Sequence, residues 1–277
     1  MKKSFFFYLK GPKLKTLLSA CFLILTVVFI NTYYFSNYFT SQSTETSGNV
    51  FNKEQEAAGK TTGGNLAIVI DYFGLGRDGM KRIMSIDRHL TFSIMPFQNL
   101  TKTDAILAHE KGYEVMVHLP LDYKNSSPVI MVNDEIYQTA VSSIIDVPYA
   151  VGANLDTKGI IRGDKQVFPD IFDALRQKNI FFLDNNTKKQ PEIEKIARLK
   201  GVKYHMASIM LNEKKSKEHI KKQLIKAGEA ALEKGNAIAV GHVGYEGSDA
   251  FAEAIIEMLP EFDKKNIRLV FVSELEN

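Results

Sequence analysis

Short runs of β-branched, aromatic and other apolar residues recur along this chain, separated by longer polar stretches with helical spacing, and that rhythm leaves few folds open. The runs are Leu66–Ile70, Thr91–Met95, Glu114–Val117, Tyr149–Ala153, Ile180–Leu183, Val202–His205, Ala237–Val240 and Arg268–Val272. Several are apolar throughout, as strands covered on both faces must be. The stretches between them are long enough for crossover helices; in Lys217–Lys234, for example, Ile220, Leu224, Ala227 and Ala231 fall on one face. Strands alternating with helices predict an α/β fold with a parallel sheet, and 277 residues suit one large core.

Polar residues stand directly after these runs: Asp71, Pro96, His118, Asn154 with Asp156, Asp184, His242, and Ser273 with Glu274. In a β/α barrel the carboxyl ends of the strands converge on one face, where residues distant in sequence share a pocket. Each residue alone also reads as a helix cap or a satisfied turn residue. Their recurrence predicts one cavity shared by Asp71, His118, Asp156, Asp184 and His242.

The N-terminal part carries a different signal. From Thr16 to Thr44 no residue is charged, and Leu17–Phe35 is dominated by Leu, Ile, Val, Phe and Tyr, which predicts one membrane span. Lys2, Lys3, Lys10, Lys13 and Lys15 precede it and Tyr33, Tyr34 and Tyr38 sit near its far end, an asymmetry that places the bulk of the chain outside the membrane. The organisation expected is a basic cytoplasmic segment (1–15), a single-pass anchor (16–35), a flexible Ser/Thr/Gly-rich tether (36–65) and an extracytoplasmic barrel domain (66–277). A cleaved secretory signal is the competing reading, but no small-x-small site closes the apolar run. Leu18-Ser19-Ala20-Cys21 has the look of a lipidation box, yet the apolar stretch follows the cysteine. Cys21 is the only cysteine, so the outer domain has no disulfide framework and no thiolate metal site.

The net charge of +3 comes from those five lysines; without them the chain is slightly acidic, which argues against nucleic acid as a partner. Gly74-Leu75-Gly76-Arg77-Asp78-Gly79 fits a dinucleotide-binding pattern. No acid follows the second strand until Asp104, however, so no group is in place for the ribose hydroxyls and no nucleotide is expected.

The strand ends in order read Ile68-Val69-Ile70-Asp71-Tyr72-Phe73-Gly74, Ser93-Ile94-Met95-Pro96, His118-Leu119-Pro120-Leu121, Val151-Gly152-Ala153-Asn154, Phe181-Phe182-Leu183-Asp184 and Ala237-Ile238-Ala239-Val240-Gly241-His242. From about Asn65 onward this series resembles the divergent polysaccharide deacetylase family. The resemblance implies a distorted (β/α) barrel of seven to eight mainly parallel strands. It also implies a divalent metal, usually zinc, that activates water to hydrolyse N-acetyl groups on sugars. Carried over by position, Asp71 is the base and His242 the acid; His118, Asp156 and Asp184 are the metal ligands; Tyr72 and Asn154 meet the substrate.

The chain departs from the family pattern at three places. Tyr72 stands where the second, metal-binding acid of an Asp-Asp pair belongs, Asp156 replaces a histidine, and Ala207-Ser208-Ile209-Met210-Leu211-Asn212 lacks an Arg and two acids. These departures predict a membrane-anchored protein of carbohydrate metabolism that is catalytically degenerate and binds cell-envelope glycan or an amino-sugar oligosaccharide. The alternatives are an active metal-dependent carbohydrate de-N-acetylase and an assembly protein with a vestigial pocket.

Overall fold

The computed structural model describes residues 63–76, 79–121, 133–157, 167–212, 214, 216–243 and 248–276. The expected membrane span (16–35) lies outside them; among the described residues no helix is long and apolar enough to cross a membrane.

Among the described residues there are nine strands and seven helices, alternating except that β7 follows β6 directly. The strands are β1 (Gly64–Phe73), β2 (Thr91–Ile94), β3 (Glu114–His118), β4 (Gly152–Leu155), β5 (Phe181–Asp184), β6 (Tyr204–Met206), β7 (Ile209–Met210), β8 (Asn236–His242) and β9 (Ile267–Leu269). The helices are α1 (Met80–Ile83), α2 (Thr101–Glu110), α3 (Asn133–Asp146), α4 (Val167–Gln177), α5 (Pro191–Lys200), α6 (Lys217–Lys234) and α7 (Ser248–Lys264). Every pairing is parallel, in the order β6-β5-β4-β3-β2-β1-β8-β7, with β9 beside β1. The amides of Ala207 and Ser208 donate to the carbonyls of Asp184 (2.8 Å) and Ile238 (2.7 Å), so this segment ties the two ends of the sheet together. The parallel α/β architecture expected from the rhythm of the sequence is therefore present, as a curled sheet with one weakly closed seam.

Strand pleating sorts the core into two layers, because alternate side chains take opposite faces. Leu66, Ile68 and Ile70 of β1 join the large cluster between sheet and helices. Ala67 and Val69 join a smaller inner cluster with Met116, Phe181, Leu183, Ile238 and Val240. Val270, Val272 and Leu275 belong to that inner cluster too, so the C-terminal segment plugs the end where the strands begin. Glu114, buried there, accepts from Thr91 Oγ1 and from the amide of Val272, both at 2.9 Å.

Helix α6 buries Ile220, Leu224, Ala227 and Ala231, the face read from its spacing, and starts at Ser216, whose hydroxyl accepts from the amide of His219. Other details differ from the sequence reading. Strand β1 begins at Gly64, so the last two residues of the expected tether are strand. A Cβ at Gly64 would lie 2.5 Å from the backbone of Ala231, so this glycine lets β1 pass close under α6. The fourth strand starts at Gly152, because Tyr149 takes a left-handed turn (φ 65°). The last run holds only β9 and then a 3-10 turn at Val272–Glu274, and β7 was not foreseen. Gly74 (φ 95°) donates to the buried Asp104 carboxylate at 3.1 Å, which accounts for the glycine motif as a tied turn.

Candidate functional site

On four strands the inward series ends in a polar residue at the carboxyl end. Ala67-Val69 continues to Asp71 on β1, Met116 to His118 on β3, and Ile238-Val240 to His242 on β8; Ser93 and Asn154 hold the same level on β2 and β4. Asp71 and His242 are directly paired in the β1–β8 register, and His118 with Asn154 in β3–β4. Apolar layers beneath and polar groups above produce a polar floor at one end of the sheet.

Asp71 is the centre of that floor and is fully buried. Its two carboxylate oxygens each lie 3.0 Å from Nδ1 of His118. Nδ2 of Asn154 donates to it at 2.8 Å, Nδ2 of Asn185 at 3.0 Å, and the amide of Tyr72 at 2.9 Å. Ser93 Oγ donates to Oδ1 of Asn154 and so fixes which end of that amide faces Asp71. His242 Nε2 stands 4.0 Å from the carboxylate and its side chain is 30% exposed, which puts it at the mouth. Burial works against the Asp71 charge. His118, through its charge and its hydrogen bond, and the charge of His242 outweigh burial and hold the carboxyl well below its usual range.

Tyr72 lies in the irregular stretch between Ile70 and Phe73, where the β1–β2 register shifts, and has φ 71°. A left-handed aromatic residue costs about 1–3 kcal/mol. Such irregularities next to sites re-aim side chains. Here the phenol ring is placed between two imidazoles, 5.0 Å from His118 and 4.6 Å from His242, and is half-buried.

The structure brings Asp71, Tyr72, His118, Asn154 and His242 together, and adds Asn185 and Ser93, which the sequence reading missed. It does not bring Asp184 in. Asp184 shares its face of β5 with Phe182, which packs in the outer core, while Phe181 and Leu183 point inward. The residue that continues the inward series is Asn185. Asp184 is instead held by Thr157 Oγ1 (2.9 and 3.0 Å), Tyr204 Oη (3.0 Å) and the amide of Asn186 (2.8 Å). Asp156 follows β4 and is half-buried.

Burial pushes the Asp184 carboxyl up to about 6, the hydrogen bonds from Asn186, Thr157 and Tyr204 opposing it only in part. A raised carboxyl binds its proton more tightly in the folded chain, so stability falls as pH rises from the unfolded value of 3.8 through about 6. Relative to Asp184→Asn, which lacks the titration, the wild type is expected to lose roughly 2 kcal/mol between pH 4 and pH 7. Urea unfolding of both proteins at the two pH values measures this; parallel pH profiles would contradict it.

The zinc implied by resemblance needs about three protein ligands. Among the described residues no group of three or more His, Cys, Asp or Glu could hold a metal ion. The chemistry of the donors explains this. Asp71 is wrapped by N–H groups, the oxygens of Asp184 are taken on the far face of β5, and Tyr72 replaces a carboxylate. These residues do not fit the expected centre.

The profile of the divergent polysaccharide deacetylases matches residues 68–276. Among curated proteins, YibQ of Escherichia coli is 28% identical over 186 residues, covering 65% of this chain and 58% of that protein. A protein of Haemophilus influenzae is 27% identical over 221 residues, covering 76% of each. The chain thus spans little more than half the length of the E. coli relative. The crystal structure of ATU2773 from Agrobacterium tumefaciens shares the fold at TM-score 0.69 and 18% identity, covering 79% of this chain and 92% of that one.

Proposed function

The chain belongs to the divergent polysaccharide deacetylase family, and from that premise we propose that it binds cell-envelope glycan without performing the family's metal-dependent hydrolysis. The observation that carries the reading is the wrapping of Asp71. A carboxylate that accepts from His118, Asn154, Asn185 and the Tyr72 amide is already satisfied, and as a buried acceptor it braces the floor of the pocket. Its lowered proton affinity makes it a weak base for activating water.

What remains to meet a ligand is the mouth. The half-buried ring of Tyr72 offers an apolar face to a pyranose ring, while His242 offers a hydrogen-bonding group for hydroxyl or acetamido substituents. Asn154 acts one step back, through Asp71. In this reading the domain is presented to the envelope by the N-terminal segment, with the span at 16–35 as a single-pass anchor and the domain outside the cytoplasmic membrane.

The Asp71–His118 pair favours a second reading, an active de-N-acetylase, because a carboxylate that orients an imidazole is a recurrent catalytic element. Incubating the full-length protein and zinc with tetra-N-acetylchitotetraose and measuring released acetate separates the two. Glycan binding alone predicts no acetate above the uncatalysed background. Turnover that disappears in His118→Ala would replace the first reading with the second.

A further inference from the structure

Strict alternation along β1 would turn Tyr72 away from the face that Asp71 occupies. Its ring nevertheless stands between His118 and His242, because the backbone at Tyr72 is left-handed. An aromatic residue keeps such a conformation only where its surroundings hold both flanks of the turn. The pocket holds the first flank. The amide of Tyr72 donates to the Asp71 carboxylate, and the amide of Val243, just past β8, donates to the Asp71 carbonyl at 2.9 Å.

The second flank is held from outside the pocket. Phe73 is buried and stacks on Phe92 with ring centroids 4.6 Å apart, and its carbonyl accepts from the amide of Met95 at 2.8 Å. The chain then turns at Gly74, where a Cβ would stand 3.0 Å from the carbonyl oxygen of Met95. There the buried amide of Gly74 donates to Oδ2 of Asp104. Asp104 belongs to the buried face of α2, with Thr101, Ala105 and Ala108, and is fully buried itself. A carboxylate is costly to bury, and a small apolar side chain would continue that face without the penalty. What the carboxylate adds is a charged acceptor for the Gly74 amide, a stronger tie than a neutral one.

We propose that Asp104 is a positioning residue for the glycan pocket: by fixing the turn at Gly74 it holds the Tyr72 ring between His118 and His242 without meeting the ligand itself. Removing the acceptor leaves the Gly74 amide unpaired, and the strained backbone at Tyr72 relaxes toward extended geometry, which carries the ring off the pocket face. The consequence for binding rests on the glycan reading, whereas the placement of the ring is measurable without any ligand.

The test follows the imidazole proton signals of His118 and His242 by NMR in the full-length protein, since an aromatic ring 5.0 and 4.6 Å away displaces them. In Asp104→Ala both signals should move most of the way to their positions in Tyr72→Ala. Asp104→Asn, whose Oδ1 still accepts from Gly74, should leave them close to wild type. Gly74→Ala disturbs the same turn with Asp104 in place and should displace the same signals, so the test stays open if Asp104→Ala does not fold. With tetra-N-acetylchitotetraose, Asp104→Ala should weaken binding roughly fivefold in the wild-type background and not at all in the Tyr72→Ala background, because the two changes remove one contact. Wild-type positions for both imidazoles in either folded variant would overturn the assignment, as would a further loss of affinity in the double variant. A wild type that binds no glycan would refute the glycan reading alone, the imidazole signals still deciding on Asp104.

Discussion

Asp71→Ala is expected to cost about 3–5 kcal/mol of folding stability, the usual consequence of removing one partner from a buried, hydrogen-bonded charge pair. Four groups lose their acceptor at once: Nδ1 of His118, the side-chain amides of Asn154 and Asn185, and the backbone amide of Tyr72. A domain stable by roughly 5–15 kcal/mol would be left marginal. Asp71→Asn is no rescue, because its new Nδ2 would face the same donors. The stability that Asp71 supplies has a defined pH window. Its folded carboxyl is lowered, so the contribution is complete above the unfolded value of 3.8 and is lost as pH falls through the native one. This is opposite in sign to Asp184, and Asp71→Ala should remove the acid-side loss. Urea unfolding at pH 7 is the measurement; a cost below about 1 kcal/mol would mean that the wrapping is not energetically coupled.

Tyr72→Ala is expected to weaken glycan binding about tenfold or more while leaving the fold intact, since a ring at the mouth supplies contact area that a methyl group cannot. Alanine keeps the Cβ and with it the left-handed strain at φ 71°, and the ring it removes is only half-buried, so a large drop in stability is not anticipated. Tyr72→Phe keeps the ring and should keep most of the affinity. Calorimetric titration of the three proteins with tetra-N-acetylchitotetraose reads this directly. Equal affinity for wild type and Tyr72→Ala would remove the ring from the site.

Much of the architecture is written in the sequence at low resolution. The alternation of apolar runs with stretches such as Lys217–Lys234 foretells a parallel sheet, because only strands covered on both faces tolerate runs like Phe181-Phe182-Leu183. That same property hides the site. On a strand that is apolar on both faces the pattern does not say which parity points inward, so Asp184 and Asn185 cannot be told apart, and the acid reads as the functional residue while the amide is overlooked. The inward parity of β1 could be counted from Asp71 back to Ala67, yet that count reaches Asp184 only if the register between distant strands is already known. Tyr72 is hidden for another reason. A register irregularity turns it toward the pocket against strict alternation, and no local residue announces the shift. Ser93, which looks like an ordinary strand serine, matters only through Asn154. The seam at β7 was equally illegible, since that strand is two residues long and carries no turn signal.

In the proposed function the pocket over Asp71 recognises glycan with hydrogen bonds and an aromatic face, independent of a metal. Titration of full-length protein with tetra-N-acetylchitotetraose, once after exhaustive chelation and once with added zinc, tests it most directly. Saturable binding with the same affinity is expected in both conditions. Binding that vanishes on chelation and returns with one equivalent of zinc would contradict it.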